Sequence, residues 1–374
     1  MTEPIGQEEL DELRSGVRDF LAAKAGEEQV HRLVDTDAPY DTAVWAQMAE
    51  QLGLQGLTLP TEHGGDGYGL PELRVVLEEM GRALLPSAFL STVVMAASAL
   101  VRSGDAAAQA AHLPPIAAGK TTAAFAVAEG NGSWAIDEIA TTAERADGGW
   151  VLTGEKPLVV DGATADLLLV VARTPAGPSL FSVHADAAGL TRTPLRALDP
   201  TRKMARLVFT GTPAALVGRD GGAADVVDHV LDLTATALAA EQVGGAQACL
   251  DASASYARER RQFGRAIGSF QAIKHKCADM FARLQVAKAA VAEAADAAAG
   301  LPGAPALGVA AAVAHSVCSE AFMFAATENI QVHGGIGFTW EHPAHLYYRR
   351  AKASQLLLGG PAVYHERLLQ RLGV

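Results

Sequence analysis

Residues 258–275 read RERRQFGRAIGSFQAIKH, and how this run is understood decides the fold. Arg258, Arg260, Arg261 and Arg265 fall within eight positions, with a Phe-Gly pair just before the last of them. Both flanks are Ala-rich and read as long helices: ADVVDHVLDLTATALAAEQVGGAQACLDASASYARERR (224–261) before it and FQAIKHKCADMFARLQVAKAAVAEAADAAAG (270–300) after it. A break between two helices that carries planar guanidinium forks suits an oxyanion such as phosphate. A run of charge is also the ordinary solvated face of a helix, and the residues alone leave both readings open.

Working outward, helical texture continues through LGVAAAVAHSVCSEAFMFAATENIQVHGG (307–335) to a last helix after Pro361. Upstream, from about residue 121, the texture is different. Short β-rich runs such as TTAAFAVAEG, ADLLLVVART and ARLVFTGTPAALVG are broken by Gly, Asp and Pro. ADGGWVLTGEK (146–156) predicts a hairpin turning at Asp147-Gly148-Gly149. Before that, residues 8–111 read as helices and turns. In EELDELRSGVRDFLAAKA (8–25), Leu10, Leu13, Val17, Phe20 and Leu21 recur at helical spacing. A Gly-rich loop, LPTEHGGDGYG (59–69), precedes a helix starting near Pro71. Its GGDGYG superficially matches a dinucleotide fingerprint but lacks the strand–helix setting that such a loop requires. The expected organisation is an α+β multidomain chain with a helical domain over 1–120, a β-barrel over 121–221 and a helical bundle over 222–374.

Composition agrees. Of 374 residues 49% are apolar and only 6% aromatic, which permits a large core and favours helix. A formal charge of −12 argues against a general nucleic-acid surface, though not against a local basic cluster for a small anion. Cys249, Cys277 and Cys318 are widely spaced with no C-x-x-C, so neither a zinc site nor a disulfide framework is expected, and a reducing cytoplasm is. The acidic start, MTEPIGQEELDELRSGV, is not of signal-peptide type. Apolar stretches are interrupted by Gly, Pro or charge, so no membrane span is expected. His342 and His345 in TWEHPAH have no third ligand in context, and no metal is expected.

Three motifs within this helical–β–helical order resemble the acyl-CoA dehydrogenase family: RRQFGRAIGSFQAIKHKCADM (260–280), ENIQVHGGIGFTWEHPAHLYYRRA (328–351) and LPTEHGGDGYG. The likeness covers almost the whole chain and is similar to actinobacterial members, including subunits of heterotetrameric steroid side-chain enzymes. It implies an N-terminal helical domain, a middle β-barrel and a C-terminal four-helix bundle. It also implies FAD, α,β-desaturation of an acyl-CoA thioester in a β-oxidation-type pathway, and a flavoprotein electron acceptor. On this resemblance Arg260, with Gln262, Phe263 and Gln271, contacts the FAD of a neighbouring subunit. Gln331, Gly334 and Gly335 form the second stretch on the same cofactor, where glycine lets backbone N–H groups approach phosphate.

The chain departs from the family in two places. Where members carry Thr-Glu-Pro it has Ala128-Glu129-Gly130. Where they carry an aromatic followed by Ile-Thr-Asn it has Leu158, Val159, Val160 and Asp161. The hydroxyl and amide facing the flavin edge are gone, leaving the backbone N–H groups of Val159 and Val160 as candidate cofactor contacts. The usual base is missing too. Leu358 in AKASQLLLGGP and Thr234 on the first long C-terminal helix occupy the two positions where members place a Glu.

Glu241 is the remaining candidate catalytic base. It shares a largely apolar helix face with Leu231, Thr234, Leu238, Gly245 and Ala248, and burial there would suit a base. Gly244 and Gly245 beside it are expected to leave room for substrate. The bland reading is a surface Glu or a buried ion pair. The resemblance therefore implies one of two assemblies: a homotetramer using Glu241, or an α2β2 heterotetramer in which this chain is a non-catalytic partner completing its neighbour's FAD site. A non-redox binding relative of the same fold stands as a third reading.

Overall fold

The computed structural model describes residues 5–36, 38–146, 148–301 and 303–374. The chain opens with α1 (Gln7–Lys24), α2 (Glu27–Val34), α3 (Thr42–Leu52), α4 (Leu70–Arg82), α5 (Ser98–Ser103) and α6 (Ala106–Ala117). Seven strands follow: β1 (Ala123–Ala126), β2 (Thr142–Ala146), β3 (Gly149–Val160), β4 (Leu167–Thr174), β5 (Gly177–His184), β6 (Leu190–Leu195) and β7 (Met204–Val217). Then come α7 (Ala223–Glu259), the short strands β8 (Arg261–Gln262) and β9 (Arg265–Ala266), α8 (Gln271–Ala298), α9 (Leu307–His333), α10 (Ala344–Leu356) and α11 (Pro361–Leu372).

These elements form two compact units that cut across sequence order. The first holds residues 33–69 and 86–234; the second holds 5–32, 70–85 and 235–374.

In the first unit β4, β2, β3, β7 and β5 pair in turn, and β5 pairs back onto β4, so the ring closes as a barrel. β1 continues the β4 edge and β6 lies on β7. Closure explains the near-continuous apolar run of β4, LLLVVART, which is buried at seven of eight positions. Trp150, Leu152, Val159, Phe181, Leu207 and Phe209 fill the interior. The hairpin joining β2 to β3 pairs Ala146 with Gly149. Its turn uses Gly148 at φ +87°, a conformation glycine adopts without strain, while Asp147 lies outside the described residues. Beside the barrel, Leu90–Ala97 forms a fully buried π-helix. Its Thr92 hydroxyl donates to the Ala123 carbonyl at 3.1 Å and accepts from the Ala123 amide at 2.9 Å.

In the second unit α9 is the central helix, packed by α8, α10 and α11. By length and composition residues 307–338 could cross a membrane, but 67% of an 18-residue apolar window within them is buried inside the protein. The run is apolar because it is surrounded by helices. α4 packs on α1 and α8. Its crossing with α7 is unusually close: a Cβ on Gly81 would lie 2.0 Å from the Glu241 carbonyl oxygen, and one on Gly244 would lie 1.7 Å from that of Glu78.

Candidate functional site

The arginine-rich stretch is a β-hairpin. Arg261 pairs with Ala266 and Gln262 with Arg265, which leaves Phe263-Gly264 as a two-residue turn. Both turn residues have positive φ, +54° and +76°, as a type I′ turn requires. A bulky residue in the left-handed region is strained, and here the strain presents Phe263 to solvent, 91% exposed. The hairpin is braced from behind. The Arg265 guanidinium lies 4.0 Å over the Phe270 ring, and Gly268 packs so closely on α7 that a Cβ would meet the Ala257 carbonyl oxygen at 2.8 Å. Arg260, Gln262 and Gln271 are all exposed on this one end.

The second predicted stretch sits at the same end of the same unit. Ser253 donates to the side-chain oxygen of Asn329 at 2.9 Å, and the Tyr256 ring stacks on His333 with centroids 4.4 Å apart. These contacts join the last turns of α7 and α9. α9 stops at Gly334, whose φ of +64° ends the helix and begins a 3₁₀ turn over Gly334–Phe338. Gln331, Gly334 and Gly335 are exposed, and the space beside both glycines is open. The structure therefore brings together the seven residues predicted on these two stretches. It adds what sequence reading missed: Phe338 and Trp340, 84% and 76% exposed, and a stack of His342 on His333 at 4.5 Å. Burial, then the neighbouring His333, holds His342 below its ordinary value. Only the spacing of aromatics in GFTWEHPAH hinted at this cluster.

The barrel edge that the resemblance assigns to the chain's own flavin differs in chemistry. Asp161 N–H donates to the Lys203 carbonyl at 2.9 Å, in register with the Val159–Ala205 and Val160–Met204 pairs. Antiparallel pairs alternate, so the Val159 N–H is taken by β7 and the Val160 N–H points away from it. Both valine side chains are buried and Leu158 is half-exposed over Gly132. Asp161 is itself left-handed at φ +54°, and its carboxylate accepts from the Ser91 hydroxyl at 2.7 Å. Between Leu158 and Asp161 the side chains present no hydroxyl or amide, and a buried carboxylate stands in their place. One backbone N–H of the expected two is left, so this edge does not fit a flavin ring as the family's residues do. Glu129 and Lys156 nearby are occupied with each other. Lys156 donates to Glu129 at 2.5 Å and to the Val127 carbonyl at 3.0 Å.

Glu241 lies on α7, 7% exposed, with its carboxylate bonded to the buried guanidinium of Arg350 on α10. Two expectations about its surroundings need correction. The helix does not carry one apolar face there; α7 is buried on every side from Thr234 to Ala246. Gly244 and Gly245 do not leave space for a substrate: the Glu78 backbone fills the first position, and the Phe322 ring would lie 2.4 Å from a Cβ on the second. Glycine is present because helices approach too closely for any side chain. Thr234 is buried and donates to the Val230 carbonyl at 2.6 Å, and Leu358 is buried. His345 and His342 bind backbone groups, and among the described residues no metal-ligating cluster exists.

Comparison with known proteins agrees with this architecture. The acyl-CoA dehydrogenase N-terminal, middle and C-terminal domain families match residues 7–120, 124–212 and 221–373. Acyl-CoA dehydrogenase IpdE2 of Mycobacterium tuberculosis is 36% identical over 368 residues, 98% of each chain. Among solved structures, the steroid acyl-CoA dehydrogenase Tcur3481–Tcur3483 superposes with TM-score 0.88 at 33% identity, over 98% of both chains. The ChsE4–ChsE5 complex of Mycobacterium tuberculosis superposes with TM-score 0.89 at 28% identity, over 100% of this chain and 99% of that one. The chain belongs to the acyl-CoA dehydrogenase family.

Proposed function

We propose that this chain is the supporting subunit of an α2β2 acyl-CoA dehydrogenase that desaturates the CoA thioester of a steroid side chain. In this assembly it completes the FAD site of a second, catalytic subunit. The observation that carries the reading is a contrast. The exposed hairpin and α9 terminus, which serve a neighbour, keep their chemistry, whereas the barrel edge, which serves the chain itself, has lost it. The relatives lend support: one is a steroid enzyme named for two proteins, and another is a complex of two.

When bound, FAD supplies the hydride acceptor for the β-carbon. The residues here then have defined tasks. Arg260 offers a bidentate donor fork to pyrophosphate, and Gln271 and Gln331 offer amides to the same group. Gly334 and Gly335 admit its oxygens close to the backbone. Phe263 offers a ring for stacking. The α-proton is taken by a base of the partner. The homotetramer alternative makes Glu241 the base, and its carboxylate would first have to leave Arg350.

The test is the visible spectrum and solution mass of the chain, purified alone and co-expressed with a second dehydrogenase subunit. The proposal expects no flavin alone, one FAD per αβ pair together, and loss of that flavin on Arg260→Gln with the assembly mass retained. One FAD per chain in the isolated protein, with turnover abolished by Glu241→Gln, would replace it with the homotetramer.

A further inference from the structure

The second unit contains a cleft that none of the above uses. It has a volume of about 440 Å³ and is lined from α1, α4, α7 and α8. Two buried carboxylates, Glu78 and Glu79, form its floor. Three arginines meet these two. Arg14 and Arg74 each lie 2.6 Å from Glu78, and Arg18 lies 2.7 Å from Glu79. Arg82 pairs with Asp251 at 2.7 Å. The fifth cation, Lys288, has a neutral partner, donating to the Gln247 side-chain oxygen at 2.8 Å. Arg74 keeps a buried Nε with no acceptor. Five cations thus face three carboxylates in a chain whose net charge is −12. A concave cationic surface against the sign of the whole molecule concentrates anions.

A second cavity, of about 240 Å³, shares Arg18, Glu79 and Arg82 as its wall. Leu21, Val30, Leu84 and Leu346 make it apolar, and the one hydroxyl there, on Tyr347, is spent on the Arg82 carbonyl at 2.7 Å. Its volume holds roughly eight water-sized groups. A polar anion pocket beside an apolar one is the arrangement by which sites fix an amphipathic small molecule.

We propose that this paired cleft binds a phosphomonoester with an apolar substituent: the dianion matches the two excess positive charges, and the substituent enters the neighbouring cavity. Lys288, with donors to spare, is the principal contact for the anion. Asp251 weakens binding by holding Arg82.

Calorimetry at constant ionic strength tests this, using the protein in whatever assembly it purifies, with inorganic phosphate and phenyl phosphate as probes. Saturable phosphate binding is expected, with phenyl phosphate at least fivefold tighter. Lys288→Gln should weaken both at least tenfold, Lys288→Arg should restore them, and Asp251→Asn should tighten them. Unchanged melting temperatures establish that each variant is folded. No saturable binding of either probe, or binding that Lys288→Gln does not weaken, overturns the site. Equal affinity for the two probes overturns the apolar substituent.

Discussion

Lys156 shows how one residue can be both expensive and necessary. Burial pulls its ammonium down to about 8, against the opposing attraction of Glu129. Removing the cation would leave the Glu129 carboxylate buried with only the Ala140 and Thr141 amides. Lys156→Met is therefore expected to cost about 3–5 kcal/mol, and the double variant with Glu129→Gln much less. Urea unfolding of the single and double variants checks the cycle. His315 sets an acid limit. Burial holds it down at about 4, so it folds neutral. The unfolded chain takes up a proton from about pH 6.5 downward while the folded chain resists until about 4. Its contribution is present above pH 6.5 and is lost as pH falls through that window, by up to about 3 kcal/mol. Melting temperatures between pH 4 and 7 should fall less steeply for His315→Phe than for the parent protein.

At the scale of elements, close approach and strain carry the information. The α4–α7 crossing has no room for a methyl group on Gly244, so Gly244→Ala must push the helices apart at a cost of about 3 kcal/mol, seen as a lowered melting temperature. The hairpin predicts the opposite sign. Phe263→Asn gives the Asn-Gly pair that a type I′ turn prefers, so the isolated chain should be stabilised by about 1 kcal/mol. Flavin in the co-expressed assembly should decrease at the same time. A variant that stabilises the chain and weakens cofactor binding marks strain retained for function. No decrease in flavin would mean the ring serves another purpose.

At the scale of the whole molecule, the chain passes three times between its two units before reaching α7. The first 120 residues are divided between both units. α4 buries Leu73, Val76, Leu77 and Met80, and α7 and α8 lie against it. A fragment of residues 1–120 therefore holds parts of two cores and completes neither. Its circular dichroism is expected to lack cooperative melting, whereas the full chain melts cooperatively.

The order of helical, β-rich and helical segments, the hairpin at Gly148 and the break between two long helices at the arginine-rich stretch were legible in the sequence; that this break is itself a β-hairpin was not. Each depends on local pattern: periodicity, turn chemistry, or a charged, glycine-bearing interruption between two Ala-rich runs. What surrounds α7 was not legible. Its 3.6-residue spacing reports where apolar residues fall, and a helix buried on every side gives no single stripe to read. Gly244 and Gly245 read as space because glycine lacks a side chain, whereas the same property lets α4 and Phe322 occupy that space. The partner of Glu241 lies 109 residues away, and the cleft gathers cations from three helices spread between Arg14 and Lys288. Local sequence determined which elements form and where the long helices are interrupted at the bundle end. Only tertiary packing decided which charges meet, because pairing at such separation is set by how helices cross.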